Sequence, residues 1–510
     1  MLPAAALAGL LALLLLVWRL RGVVPGRALW RRVTRAACAP SPAPAVPEPA
    51  CGSVAAQAAA DFAARYPGYG LGGRLEAMVA ADFAHLPPDE TYLDHAGATL
   101  CASSQAAQHA SSLLAATLGN PHSRNVAGQR TAQLMRHTRG LVLQHLNASE
   151  RDYTVIFTSG CTGAVQMLAQ HFRWTRGRSV LGYSLCNHNS VLGMRETAKA
   201  RGCPFVCFSP EALSNLGRRG GPGSDAGNAA AGAGGGEGPD DEVLDSPRTQ
   251  GGVSAPSLGD EEAVAHLFAY SLECNFSGTK CDLSLASQVQ QGHLDPHMPA
   301  ALHLGAALDD SARRAEGKWY VLCDAAKAAA TGPVDLGGAH QPDFVALSFY
   351  KMMGLPTGLG ALVVRRAAAA ALDKGGFAGG SVLAVQPDED FFRLRGSLAE
   401  ALEDGSPNFH AILAAAQGLE RLRALGMRSI ADHTWALRDY LARELSALRH
   451  AAGGAALVEV YGPPPGAGAE AVGSIVAFNL RRPDGRYVEY SQVEELAALS
   501  HSSLLMCVYV

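Results

Sequence analysis

Seven short apolar runs, each followed by a helical stretch, constrain this chain more than any other feature of its sequence. They fall at residues 153–158, 179–184, 204–209, 266–271, 319–323, 344–349 and 360–364. Each is too short for a helix and too continuously apolar for a half-exposed strand, so each reads as a strand covered on both faces. Strands that alternate with helices in this way build a mostly parallel sheet in an α/β domain. After about residue 372 the pattern changes. Helices are expected at 411–425 and 427–449, strands at 457–461 and 474–479, and a helix at 492–500, which together read as a smaller α+β unit.

Two stretches lie outside this pattern. Residues 33–60 are rich in Ala and Pro, so 1–60 is read as an extension and the folded unit is expected to begin near Asp61. Residues 215–260 are Gly-rich and acidic, with GAGGGEG at their centre, and read as a surface insertion within the large domain of 61–372. The run at 4–18 is apolar throughout and is followed by Arg19, Arg21, Arg27, Arg31 and Arg32, as in a signal anchor. It is shorter than the ~20 residues of a spanning helix and no basic residue precedes it. The expectation is therefore a cytoplasmic chain, with a membrane anchor as the alternative.

Charge and cysteine content narrow the function. Lys and Arg total 42 against 46 for Asp and Glu, which leaves no broad basic field for a nucleic acid. The 11 cysteines include no Cys-x2-Cys pair, so no metal site is expected and most of them read as reduced and buried.

Three phrases carry chemistry. FTSGCTGA at 157–164 leaves a strand and opens a helix, which forms a phosphate cradle from backbone N–H groups, although such a turn alone is commonplace in α/β proteins. WYVLCDAAK at 319–327 and DFVALSFYKMMGLPTGLG at 343–360 set Asp324 and Lys351 after neighbouring strands, where one ligand at the carboxyl edge of the sheet meets both. A carboxylate keeps a pyridine nitrogen protonated and a lysine amine forms a Schiff base with an aldehyde, so this pair points to pyridoxal 5'-phosphate.

With these phrases in hand, the chain resembles the class V aminotransferase family of pyridoxal enzymes, fold type I, and within it most closely the molybdenum cofactor sulfurases. The likeness runs from about Tyr66 to Ser500 through YLDHAGAT (92–99), GNPHS (119–123), HNSVLGMR (188–195), NFSG (275–278), SFYK (348–351) and YSQV (490–493). It implies a homodimer with a seven-stranded large domain and an incomplete α+β small domain over 373–510. It makes Lys351 the Schiff-base lysine, Asp324 the partner of the pyridine nitrogen and His188 the imidazole over the ring. Asn275 would approach the polar edge of the ring, and Cys161, Thr162, Ser348 and Tyr350 would hold the phosphate. Ser381, in the GGS turn at 379–381, resembles the segment contributed by a neighbouring subunit. Lys327 stands where many relatives have a neutral polar residue, near the cofactor's phenolic oxygen. Two readings stay open for it: a second cation that lowers the lysine pKa, or a side chain turned to solvent.

The implied activity is sulfur transfer from L-cysteine to the molybdenum cofactor of xanthine dehydrogenase and aldehyde oxidase. The alternatives are a general cysteine desulfurase or selenocysteine lyase, and a non-catalytic isoform that binds the cofactor or regulates a dimer. In the family the sulfur-carrying thiol stands in a stretch resembling LRTGCFC soon after the YSQV helix, with its Arg set for the substrate carboxylate. Here 501–510 reads HSSLLMCVYV. The expectation is a truncated form that lacks this thiol, its Arg and the C-terminal domain that handles the molybdenum cofactor. Cys507, in an apolar tail without a neighbouring cation, reads as an ordinary hydrophobic cysteine.

Overall fold

The computed structural model describes residues 51–87, 90–214, 216, 264–295, 317–376, 379–450, 454–499 and 502–503. The apolar run at 4–18, nearly all of the Gly-rich insertion, and Cys507 lie outside the described residues. Among the described residues no helix is long and apolar enough to cross a membrane.

The strands are β1 (Thr91–Tyr92), β2 (Tyr153–Thr158), β3 (Leu181–Ser184), β4 (Phe205–Phe208), β5 (Val264–Ser271), β6 (Gly317–Asp324), β7 (Phe344–Ser348), β8 (Gly360–Arg365), β9 (Val382–Gln386), β10 (Phe391–Leu394), β11 (Val458–Tyr461), β12 (Ala477–Leu480) and β13 (Ser502–Ser503). The helices that matter below are α1 (Cys51–Arg65), α2 (Val126–His145), α3 (Gly160–His171), α4 (Phe349–Met353), α5 (Phe409–Leu425), α6 (Met427–Ala447) and α7 (Tyr490–Leu499).

Strands β2 to β8 form one seven-stranded sheet in the order β2-β8-β7-β6-β5-β3-β4. All seven coincide with the seven apolar runs. Only β8 runs against its neighbours; it is antiparallel to both β2 and β7, and the other pairings are parallel. Successive residues of a strand face opposite sides, and each side has its own core. Phe157, Phe268, Tyr270, Val321, Cys323, Val345 and Leu347 enter one core. Ile156, Leu267, Ala269, Tyr320, Leu322, Phe344 and Ala346 enter the other. Two covered faces explain why the runs are apolar without alternation.

Beyond residue 372 the packing departs from the expected division. Ala411, Ile412, Ala415, Leu419 and Leu422 of α5 join the first core of the sheet domain, and Ala399 and Leu402 join the second. The small alanine side chains let α5 lie close against the large unit, so its apolar stripe is satisfied there. The smaller unit is built from the antiparallel pair β11–β12 with α6 and α7, around Leu445, Leu457, Val458, Leu480 and Val493. Helix α1 reaches back to Cys51, into the segment read from composition as a lead-in, because alanine-rich sequence favours helix. Its end is anchored to α6: Phe62 and Tyr66 pack on Ala436 and Tyr440, and the Tyr66 hydroxyl donates to Asp439 at 2.7 Å. The hairpin β9–β10 was not anticipated.

Candidate functional site

Because β2 is parallel to β7, the carboxyl ends of β2, β3, β5, β6 and β7 lie along one edge of the sheet. The residues just past these ends surround a single cavity of about 190 Å³. Eight of the nine expected site residues line it: Cys161, Thr162, His188, Asn275, Asp324, Ser348, Tyr350 and Lys351. Lys327 lines it too and does not turn to solvent.

Asp324 ends β6 and is buried. Its Oδ1 accepts the Ala326 N–H at 2.9 Å and the Cys161 thiol at 3.5 Å. Burial, reinforced by the neighbouring Asp324 carboxylate, pushes the Cys161 thiol well above its usual range, so Cys161 is a neutral donor to Asp324.

Lys351 sits on α4, one turn past β7, in the segment that reverses the chain into β8. The Thr99 hydroxyl donates to the Lys351 carbonyl at 2.7 Å and ties α4 to the YLDHAGAT segment. Helix α4 stops at Gly354, where φ is +74° and a Cβ would lie 2.6 Å from the Cys101 nitrogen. A side chain there would displace the lysine helix.

Helix α3 begins at Gly160, with φ +81°, and its N-cap residue Ser159 makes no side-chain capping bond. The first amides of a 12-residue helix therefore face the cavity without a side-chain cap. Glycine is also required at 360 on β8, because a Cβ there would sit 2.5 Å from the Gly160 carbonyl carbon.

His188 follows β3 and its loop is fixed from both sides. The Asn187 amide donates to the carbonyls of Ser184 at 2.7 Å and Ala269 at 3.1 Å, and its Oδ1 accepts the Ser271 hydroxyl at 3.1 Å. The Nδ1 of His188 accepts the Ser190 N–H at 3.1 Å and lies 2.6 Å from the Ser190 hydroxyl. Nε2 is then the proton-bearing nitrogen of the neutral ring. Burial and the Lys351 charge hold His188 below the usual histidine pKa, with Asp324 opposing them.

Ser190 and Glu273 are lining residues that the sequence reading missed. Ser190 also meets the Thr162 hydroxyl at 3.0 Å, so it links the imidazole to the start of α3. Its position two residues past His188 at a helix start was an available signal. Glu273 stands two residues past the end of β5 and two before Asn275, so its place at the strand end was an available signal as well. Ser381 does not line this cavity: it is buried, and its hydroxyl donates to Asp404 at 3.1 Å.

The cysteines at 101, 161, 186, 203, 207, 274, 281 and 323 are free. Cys274 alone among them has a lowered pKa, through a hydrogen bond from Cys186 and others from the Ser277 side chain and amide.

These residues fit pyridoxal phosphate. The uncapped start of α3 with the Thr162 and Ser348 hydroxyls suits a phosphate, a buried carboxylate suits a protonated ring nitrogen, and an amine stands beside both.

Comparison with known proteins supplies a family. The model of the family described as aminotransferase class-V matches residues 91–212 and 306–490. The chain is similar to the molybdenum cofactor sulfurase of Bos taurus, 37% identical over 84% of this chain and 44% of that one. The Arabidopsis thaliana protein of the same name is 36% identical over 85% of this chain and 50% of its own length. The chain thus spans about half the length of these relatives. Among solved structures, the cysteine desulfurase CsdA of Escherichia coli aligns with a TM-score of 0.58 at 20% identity, covering 84% of this chain and 86% of that one. A cysteine desulfurase from Thermococcus onnurineus NA1 aligns at 0.57 and 16% identity, covering 84% and 86%. These two show the shared fold.

Proposed function

Since the chain belongs to the aminotransferase class-V family, we propose that it holds pyridoxal phosphate on Lys351 and removes sulfur from L-cysteine, in the service of the molybdenum cofactor. The observation that carries this reading is the meeting of Asp324, Lys351 and the uncapped start of α3 in one cavity. Likeness to the molybdenum cofactor sulfurases over most of this chain supports the choice of sulfur acceptor. A homodimer and a cytoplasmic location belong to the same proposal; the Ser381 side chain, buried against Asp404 of its own chain, faces neither this cavity nor solvent.

When bound, pyridoxal phosphate supplies an aldehyde that a lysine amine holds and a ring that stores the electrons released from the substrate. The chain's own residues do the rest. The Asp324 carboxylate keeps a proton on the ring nitrogen, and the Cys161 thiol holds that carboxylate in place. The amides of Cys161 and Thr162, with the Thr162 and Ser348 hydroxyls, bind the phosphate. Lys351 Nζ is the amine and proton carrier. His188 lines the cavity with Nε2 as the proton-bearing nitrogen, and its lowered pKa keeps the ring neutral.

L-cysteine gives up its sulfur to a thiolate, alanine leaves and a persulfide forms. Cys161 is not that thiolate, because burial and Asp324 keep it protonated. The test is alanine release from L-cysteine by the pyridoxal phosphate-loaded chain, with dithiothreitol as a supplied thiol. Alanine is expected from the wild type and none from Lys351→Ala. Equal alanine from both would overturn the reading.

A further inference from the structure

Two cysteines meet beside the cavity. Cys186 follows β3 and stands two residues before His188, while Cys274 follows β5 and stands between Glu273 and Asn275. His188, Glu273 and Asn275 all line the cavity. Strands β3 and β5 are parallel, so the two segments leave the sheet side by side. Both are held in place. The Cys186 N–H donates to the Ser184 hydroxyl at 3.2 Å, and Asn187 Oδ1 accepts the Ser271 hydroxyl at 3.1 Å. The Cys274 N–H donates to the Thr279 carbonyl at 2.8 Å and the Cys274 carbonyl accepts the Gly278 N–H at 2.9 Å, which closes the turn that carries Asn275.

The two thiols are in hydrogen-bond contact, with Cys186 the donor. The Cys274 sulfur also accepts the Ser277 N–H at 3.4 Å and the Phe276 N–H. Successive amides turned to one atom form a nest for negative charge, and these donors lower the Cys274 pKa although the residue is buried. Cys186, which gives the bond, is held protonated by it. Cys281, the third thiol nearby, is pushed up to about 11 by burial and by the Cys274 charge, so it stays neutral. The three sulfurs are not a metal site: among the described residues no group of three His, Cys, Asp or Glu side chains could hold an ion. A thiolate and a thiol thus face each other, as the attacking and resolving members of a redox pair do.

We propose that Cys186 and Cys274 are an oxidation site, which a peroxide converts to a reversible disulfide that fastens the His188 segment to the Asn275 turn. Cys186 is half-buried, which gives a small oxidant its way to the pair. The Cys274 sulfur attacks one peroxide oxygen, the O–O bond breaks, and the departing hydroxide takes a proton from solvent; a sulfenic acid remains on Cys274. The Cys186 sulfur then attacks that sulfur, the S–O bond breaks, and water leaves with the Cys186 proton. Each sulfur gives up one electron, and the two peroxide oxygens end as two waters. An S–S bond of about 2.05 Å is shorter than any thiol hydrogen bond, so its closure draws the two segments together and displaces His188 and Asn275.

The full chain is reduced, freed of reductant, treated with hydrogen peroxide, alkylated and mapped by peptide mass. A disulfide between Cys186 and Cys274 is expected, opened again by dithiothreitol. Cys186→Ser should stop at a sulfenic acid on Cys274, which dimedone traps, and Cys274→Ser should form neither product. Cys186 and Cys274 both recovered as free thiols, or Cys274 joined to Cys281 instead, would overturn the inference. The consequence for the cavity rests on the pyridoxal phosphate reading and is measured separately by absorbance titration. The oxidised chain should bind pyridoxal phosphate about 5-fold more weakly, the loss of one hydrogen bond, and equal affinity in the two states would overturn that coupling. A reduced chain that binds no pyridoxal phosphate overturns the functional reading, while the mapped disulfide still decides the inference.

Discussion

Glu403 connects the stability of the sheet to the geometry of the phosphate cradle. Its side chain is 5% exposed, and it accepts the Phe157 N–H at 2.8 Å and the Arg139 guanidinium at 2.7 and 2.8 Å. Arg139 is 19% exposed, donates to the Val155 carbonyl at 3.0 Å and lies over the Phe157 ring at 5.1 Å. Glu403→Gln leaves an acceptor for the Phe157 amide but strands the Arg139 charge. Breaking a buried pair costs about 3–5 kcal/mol, and the partial exposure of Arg139 places this case near about 3 kcal/mol. Thermal unfolding should then fall by about 5 °C, because a chain of this size shifts only a few degrees per kcal/mol. Phe157 and Thr158 close β2 directly before the cradle, so the affinity for pyridoxal phosphate should fall as well. The double variant Arg139→Met/Glu403→Gln, which removes both charges, should recover part of the loss. Thermal melts of the two single variants and the double one provide the assay. If the double variant loses the sum of the two single losses, Arg139 and Glu403 are independent and the reasoning fails.

Two shorter predictions follow from other contacts. Burial draws the His433 pKa down to about 4, against about 6.5 in the unfolded chain. Its folded pKa is the lower one, so the stability it contributes is present above pH 6.5 and is lost as the pH falls toward 4, to a total of about 3 kcal/mol. Melting temperature should drop over that interval, and His433→Phe should melt lower at neutral pH but with a flatter pH dependence; an unchanged slope would contradict the assignment. Ser190→Ala removes the hydroxyl that joins His188 to Thr162. At about 1 kcal/mol for such a bond, its affinity for pyridoxal phosphate should fall by about 5-fold, and an unchanged dissociation constant in an absorbance titration would show that Ser190 does not position the site.

What the sequence revealed and what it hid have physical causes. The strands of the large sheet were legible because both faces are covered, which makes each run apolar from end to end, as in Val264–Ser271. Asp324, Lys351 and the Gly160 turn were legible because β2, β6 and β7 run the same way and deliver their carboxyl ends to the same edge. The partner of α5 was not legible: an alanine-rich helix packs as well on a sheet domain as on a small one, and only the tertiary contacts of Ala411 and Ala415 decide. The hairpin β9–β10 is a two-stranded pair outside the large sheet: its apolar residues at 382–385 stand with Leu383 and Val385 open to solvent, so they carry neither the covered-strand pattern nor the polar alternation of a half-buried strand. Glu273 stands on the cavity wall because it follows β5 by two residues; what the sequence hid is its burial beneath Gly473, a contact made across 200 residues of chain.

The central claim is that Lys351 is the amine that holds the cofactor, and one chemical measurement tests it most directly. The chain is loaded with pyridoxal phosphate and reduced with borohydride, and the position of the fixed pyridoxyl group is read by peptide mass mapping. The account predicts a single modified lysine, Lys351, with no fixed pyridoxyl in Lys351→Ala. Modification at Lys327 or at a lysine outside the cavity, with Lys351 left bare, would contradict it.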